Sequence, residues 1–210
     1  GLGPVAEAYK IPAKINGKAD ADVKLSLSGK TPQEIISSLK AEIAGSLKDG
    51  VLEGLNLVQT SLGNIPMLPT LWEMVQPSLP PETQEDVKKG RTLIETAEVL
   101  AHMNGMTANV DRAEIVTRDV GVSAKGTVQV PEALNLVIDI HFQKEITSAL
   151  VHKVSDLAAL QDDQGKLYIP FKLKGSMLKP KTEPDAEYLS KKLLLNRGKE
   201  ALEKVIDKNP

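Results

Sequence analysis

Cysteine is missing from all 210 residues, and that one absence removes disulfides, thiolate nucleophiles and thiolate metal sites together. It leaves the compartment open, because a cysteine-free chain suits reducing and oxidising surroundings alike. Aromatic residues are scarce: one Trp, three Tyr and two Phe, few for the stacking sites that hold bases and sugars. Neither sign of charge dominates, with 26 Lys and Arg against 28 Asp and Glu. Without a basic block there is no phosphate-tracking surface, and nucleic acid is not an expected partner. No run of about 18 apolar residues occurs, so no segment is expected to span a bilayer as a helix. The opening GLGPVAEAYKIP carries no targeting pattern and begins without Met, so the chain reads as a fragment of something longer, with any membrane anchor outside it.

Residues that carry chemistry are equally thin. His102, His141 and His152 lie far apart, with no H-x-x-x-H or H-E-x-x-H spacing for a metal. His141 shares the polar side of a strand pattern with Asp139, which reads as a solvated face, since no nucleophile or anion-binding loop lies nearby. Ser123 and Ser176 fall outside G-x-S-x-G. GSLKDG lacks the lysine and hydroxyl that close a phosphate loop. Glu85-Asp86 and Asp162-Asp163 sit in turn-like surroundings. No catalytic residue, cofactor or metal site is expected, and the chain is read as non-enzymatic.

What the chain does have is alternation. In KLYIPFKLKG, Leu167, Ile169, Phe171 and Leu173 point one way while Tyr168, Pro170, Lys172 and Lys174 point the other. Leu134, Leu136, Ile138, Ile140 and Phe142 form a second stripe, on the last of three short strands expected at 107–118, 120–130 and 134–143. A further strand is expected over 15–28, with Val23, Leu25 and Leu27 on one face. Thr31, Pro32 and Glu34 stand as N-cap, first position and capping-box partner of a helix carrying Ile35, Ile36, Leu39 and Ile43. Asp49-Gly50 reads as a hairpin turn. Residues 63–91, proline-rich over 63–81 and holding Trp72, read as a loop or insertion. Leu93, Ile94, Ala97, Leu100 and Ala101 have helical spacing, predicting a helix over 92–103. Helices are also expected over 145–161 and 186–206, the latter with Tyr188, Leu189, Leu193, Leu202 and Val205 as contacts. The sum is one α+β domain over 1–210, an antiparallel, twisted β-sheet with one apolar face and several flanking helices. Such stripes are ordinarily the core side of a sheet; their aliphatic character also suits acyl chains.

LYIPFKLKGSMLKPKTEPDAEYL resembles the C-terminal signature of the AsmA-like proteins, carried here by Ile169-Pro170, Gly175, Pro180 and Pro184-Asp185. LKAEIAGSLKDGVLEGLNL and VGVSAKGTVQVPEALNLVIDIHF resemble two further segments of that family in the same order, so the likeness spreads over about residues 13–190. The proline-rich stretch with Trp72 and the long helix expected before Gly105 lie outside it. The resemblance implies a periplasmic protein tethered to the inner membrane of a diderm bacterium, supporting outer-membrane lipid homeostasis, without a known activity or cofactor. It implies phospholipid acyl chains as partners, with Leu134, Leu136, Ile138, Ile140, Phe142, Leu167, Ile169, Phe171 and Leu173 as contacts, beside other envelope proteins. The rival expectation is a protein-interaction scaffold in envelope biogenesis, with covered sheet faces and no lipid contact.

Overall fold

The computed structural model describes residues 14–63, 65, 70–177 and 179–195. Among these residues eight strands lie in one sheet in chain order, every neighbouring pair antiparallel. They are β1 (Lys14–Ser26), β2 (Lys40–Glu53), β3 (Arg91–Asn104), β4 (Thr107–Val116), β5 (Val120–Gln129), β6 (Ala133–Phe142), β7 (Tyr168–Ser176) and β8 (Lys179–Pro184). Helix α1 (Pro32–Ser38) joins β1 to β2. Between β2 and β3 run α2 (Leu57–Gly63), α3 (Leu71–Val75), a 3-10 turn (Gln76–Ser78) and α4 (Pro81–Lys88). Helix α5 (Lys144–Lys153) and a 3-10 segment (Ser155–Leu160) join β6 to β7, and a last helix, α6, covers 186–195. The expected α+β architecture on an antiparallel sheet is the one observed.

Four local expectations come out differently. The helix opened by Thr31 is capped as expected by the Thr31 side chain, which accepts from Glu34 N, while Glu34 Oε2 reaches one residue beyond the cap and accepts from Lys30 N. It ends at Ser38, however, and Leu39 leads into β2, where Ile43 is paired with Val23 on one side and Ala101 on the other. Asp49-Gly50 is no hairpin turn. The strand continues through it, and the positive φ that the dipeptide tolerates (50° at Asp49) is used where β1 shifts register between Asn16 and Lys18. At that irregularity a Cβ on Gly17 would stand 2.9 Å from the Gly50 Cα, so only glycine lets the two backbones meet.

The helix expected over 92–103 is instead the long strand β3, held between β2 and β4 along its upper part. Ala97, Val99, Ala101 and Met103 are half-buried on one side, while Thr96, Glu98, Leu100 and His102 are exposed on the other. Alanine contributes little to a hydrophobic pattern, so the period of two was masked, and pairing on both edges outweighs a helical propensity of tenths of a kcal/mol per residue. Residues 179–184, for which no strand was expected, form β8. Among the described residues it pairs with β7 alone, and the end of a sheet is where a strand can hold Pro180 and Pro184.

The proline-rich segment is not a loop where it is described: α3, the 3-10 turn and α4 occupy 71–88 and bury Leu71, Val75 and Leu79. These join Val58, Leu62 and Ile65, the inward residues of α5 and the following 3-10 segment, and Leu189 and Leu193 of α6. All pack on Val120, Ile140, Phe142, Ile169 and Phe171. The helices thus form a cap over one end of β5, β6 and β7. Leu202 and Val205 lie outside the described residues.

Helix α6 is anchored by Asp185. Its carboxylate accepts from Tyr188 N and pairs with Lys172 Nζ at 2.7 Å, and its N–H donates to Pro170 O. The hydrogen bond from Lys172, then that from Tyr188 N, hold the Asp185 carboxyl below its ordinary 3.8. A depressed folded pKa means stability that is full above that ordinary value and lost as pH falls through the folded value. Asp185→Asn keeps an oxygen that can cap the helix but loses the ion pair with Lys172, so it is expected to be less stable at pH 7 by about 0.5–1 kcal/mol, and to converge on the wild type below that folded pKa. Thermal unfolding across pH 7 to the acid limit checks this; parallel curves would refute it.

Candidate functional site

The two faces of the sheet are unlike. Register carries single rows of side chains across the whole molecule. One row runs Val23, Ile43, Ala101, Val110, Gly126, Leu136, Leu173 and Thr182, one residue from each strand. The row beside it runs Ala21, Gly45, Val99, Ala113, Ala124, Ile138, Phe171 and Pro184. A third holds Leu25, Ala41, Met103, Ala108, Val128 and Leu134, and a fourth Ala19, Leu47, Ala97, Ile115, Val122, Ile140 and Ile169. No charged or amide side chain interrupts these four rows. Side chains alternate across a strand, so such rows share one face. At about 4.8 Å between strands, a row spanning eight of them is about 34 Å long.

Burial along this face is graded. Phe142, Leu167 and Ile169 are fully buried, and Phe171 and Ile140 nearly so, under the helical cap. Ile138 is half-buried against the margin of that core, and Leu136, Leu134 and Leu173 are half-buried beyond it. Val99, Ala101, Val110, Ala124 and Val128 are likewise half-buried, and on β1 Val23 and Leu25 are 57% and 59% exposed. Helix α1 buries none of its own residues. The nine residues expected to share a function are therefore divided by the fold. Phe142, Leu167, Ile169, Phe171 and Ile140 are core, and Ile138, Leu136, Leu134 and Leu173 line the open part.

The β1 to β4 contribution to the rows lay outside the expected site. Only β1 showed it as alternation; on β2 and β3 half of the positions are Ala or Gly (Ala41, Gly45, Ala97 and Ala101), whose small side chains make a smoother floor and a fainter pattern. Gly126 belongs to that floor. A Cβ there would come 2.2 Å from the Asn135 carbonyl oxygen, so the close approach of β5 to β6 requires glycine.

The opposite face carries the charge. Arg112 pairs with Glu98 at 2.8 Å, Lys24 with Glu42 at 3.4 Å, and His102 with Asp111 at 2.9 Å. His141 meets Asp162 at 3.0 Å, not its strand neighbour Asp139, which accepts from the Tyr168 hydroxyl at 2.7 Å. Asp162 Oδ1 also takes the backbone N–H groups of Gln164 and Lys166, so this carboxylate braces the turn before β7. Burial opposes ionisation there, but those backbone bonds together with His141 keep the Asp162 carboxyl below its usual range. Burial, then the bond to Asp139, pushes the Tyr168 phenol well above its ordinary value. A paired histidine and a neutral phenol within a packed aromatic group, with Tyr188 edge-on to Tyr168, make a structural corner. Among the described residues no group of three or more His, Asp or Glu is placed to hold a metal ion.

One buried charge cluster ties the cap to the sheet. Asp86 of α4 accepts from Arg91 Nε at 2.8 Å and from Arg118 Nη2 at 3.2 Å, Arg118 also pairs with Asp119, and Thr83 Oγ1 donates to Asp119. The hydrogen bond with Asp119 leads in pushing the Arg118 guanidinium further up. These groups line a cavity of about 330 Å³ beside Asp49 and Glu95, whose carboxylates leave it without net positive charge. Only Asp86 is well buried, at 7% exposure of its side chain against 32% and 43% for the arginines. Asp86→Ala should therefore cost about 2–3 kcal/mol, below the 3–5 of a fully buried pair, because Arg118 keeps Asp119 and water reaches the Arg91 guanidinium. Urea unfolding measures it; a loss under about 0.5 kcal/mol would show that the clamp is idle.

No family model, curated protein or solved structure matches this chain. Among the described residues no helix is long and apolar enough to cross a membrane.

Proposed function

We propose that this chain is a non-enzymatic lipid-handling module of the AsmA-like kind, whose open apolar sheet face carries phospholipid acyl chains in the periplasm in support of outer-membrane assembly. The observation that carries this reading is the set of four apolar rows, two of them crossing all eight strands, that extend well beyond the helical cap. An acyl chain in water costs about 0.8 kcal/mol per exposed CH₂. A wall of alternate aliphatic side chains removes that cost without requiring a specific bond, so a chain can shift along it. The two longest rows are about 34 Å long, against about 15 Å for one leaflet of a bilayer's hydrocarbon core. The smooth Ala and Gly floor and the low aromatic content favour flexible chains over rings. The motifs around Ile169-Pro170 and Pro184-Asp185 are what point to the AsmA-like family and to the cell envelope.

A photo-crosslinking residue placed at Leu136, in cells or with phospholipid vesicles, tests the reading by mass spectrometry of the adduct. Phospholipid adducts at Leu136 and at Val110 are expected, and none at Asn135 on the charged face. Equal labelling of Asn135 and Leu136, or no lipid adduct from membrane-exposed material, would leave the scaffold reading in its place.

A further inference from the structure

The sheet has two ends, and they are treated differently. At one end β8 carries Lys179, Pro180, Lys181 and Pro184, the residues that discourage another strand from pairing. At the other, β1 has no proline, every residue of it is exposed, and among the described residues only β2 pairs with it. From Lys18 to Ser26 its register with β2 is unbroken, so this stretch presents a regular row of backbone donors and acceptors outward.

We propose that β1 pairs edge to edge with β1 of a second copy of this chain, antiparallel and centred on Val23. The register is set by the strand's own sequence, KADADVKLS from Lys18 to Ser26. Centred on Val23, the pairing sets Asp22 of each copy against Lys24 of the other on the charged face. On the apolar face Val23 meets Val23, and Ala21 meets Leu25. Centring on Ala21 would oppose Lys18 to Lys24 and Asp20 to Asp22. Centring on Asp20, Asp22 or Lys24 sets that charge against itself; centring on Ala19 pairs Lys18 with Asp20 but sets Lys14 against Lys24, runs across the register shift at Asn16–Lys18 and leaves Leu25 beyond the end of the partner strand. Centring on Leu25 leaves little of the strand overlapped. Opposite charges directly across a sheet stabilise and like charges destabilise, so the register at Val23 is selected. It keeps parity, so the four aliphatic rows run on from one copy into the next and the exposed Val23 and Leu25 are covered. This does not depend on the lipid reading and would stand without it.

The absence of native cysteine makes the test clean. Val23→Cys should give a covalent dimer on mild oxidation, because residues directly opposite in an antiparallel pair lie about 4.5–5.5 Å apart at Cα, within disulfide range. Leu25→Cys alone should not, and Ala21→Cys mixed with Leu25→Cys should. By sedimentation equilibrium the unmodified chain is a dimer, Lys24→Asp weakens it by about tenfold or more, and Asp22→Lys with Lys24→Asp restores it. These side chains are exposed, and circular dichroism verifies that each variant folds. A monomer at every soluble concentration overturns the proposal, as does Val23→Cys cross-linking no faster than Leu25→Cys, or a dimer indifferent to the charge exchange.

Discussion

Phe142→Ala is expected to remove about 3–5 kcal/mol of stability, a large share of the 5–15 kcal/mol typical of a domain. Phe142 has no exposed surface and is the largest of the fully buried side chains. Its own backbone is tied on both sides: the N–H donates to Leu167 O at 2.8 Å, and the carbonyl accepts from Thr147 Oγ1 at 3.0 Å. Thr147 Oγ1 in turn accepts from Leu167 N, so β6, α5 and the start of β7 converge on this residue. With the backbone so held, the cavity left by the ring cannot collapse, and the cost falls at the high end of the range. Urea unfolding at unchanged slope measures it. A loss below about 1 kcal/mol would mean that the cap does not rest on Phe142.

Leu136→Asp, only a few residues earlier on the same face, is expected to do the reverse: keep the fold and lose the acyl contact. Leu136 is half-buried with Gly126 and Leu173 as its cross-strand neighbours, so a carboxylate there reaches water and the fold should give up only about 1–2 kcal/mol. A lipid chain lying over it would be displaced. Losing contact for two CH₂ groups costs about 1.6 kcal/mol at 0.8 each, a little over tenfold in affinity. Phospholipid binding followed by a fluorescent acyl probe is the measurement, with circular dichroism as the fold check. A folded variant that binds lipid unchanged would sink the conduit, and an unfolded one would place Leu136 in the core. Ile138, on the margin of the cap, should show both effects in part.

The comparison of these two positions shows where sequence and structure divide. Leu134 to Phe142 read as one uniform stripe, because alternation reports which side of a strand a residue faces and nothing about what lies over that side. The strands 107–116, 120–129 and 133–142, and the cap at Thr31 with Glu34, were legible because their signals are local: β-branched alternation, turn residues, a side chain three positions from its partner. The strand nature of 91–104 was not, since its inward positions are mostly alanine or mixed with residues at helical spacing, and the partners that decide the matter, β2 and β4, are distant in sequence. Asp49 shows the same limit. Its tolerance of positive φ was readable, but whether that bends a hairpin or absorbs a register shift depends on Gly17, thirty-odd positions away.

By itself, then, the sequence determined composition, the aliphatic character of alternate positions, the lack of a metal-ligand or nucleophile motif, and the local starts and stops of most strands. Each of those follows from residue chemistry or from neighbours within one turn or one strand. The tertiary structure alone decided that eight strands align their small and aliphatic residues into continuous rows, that the proline-rich segment helps to cap one end of them, and that β1 is left at an edge. Register and covering are set by long-range pairing, which satisfies backbone groups and buries area only when segments far apart in the chain meet.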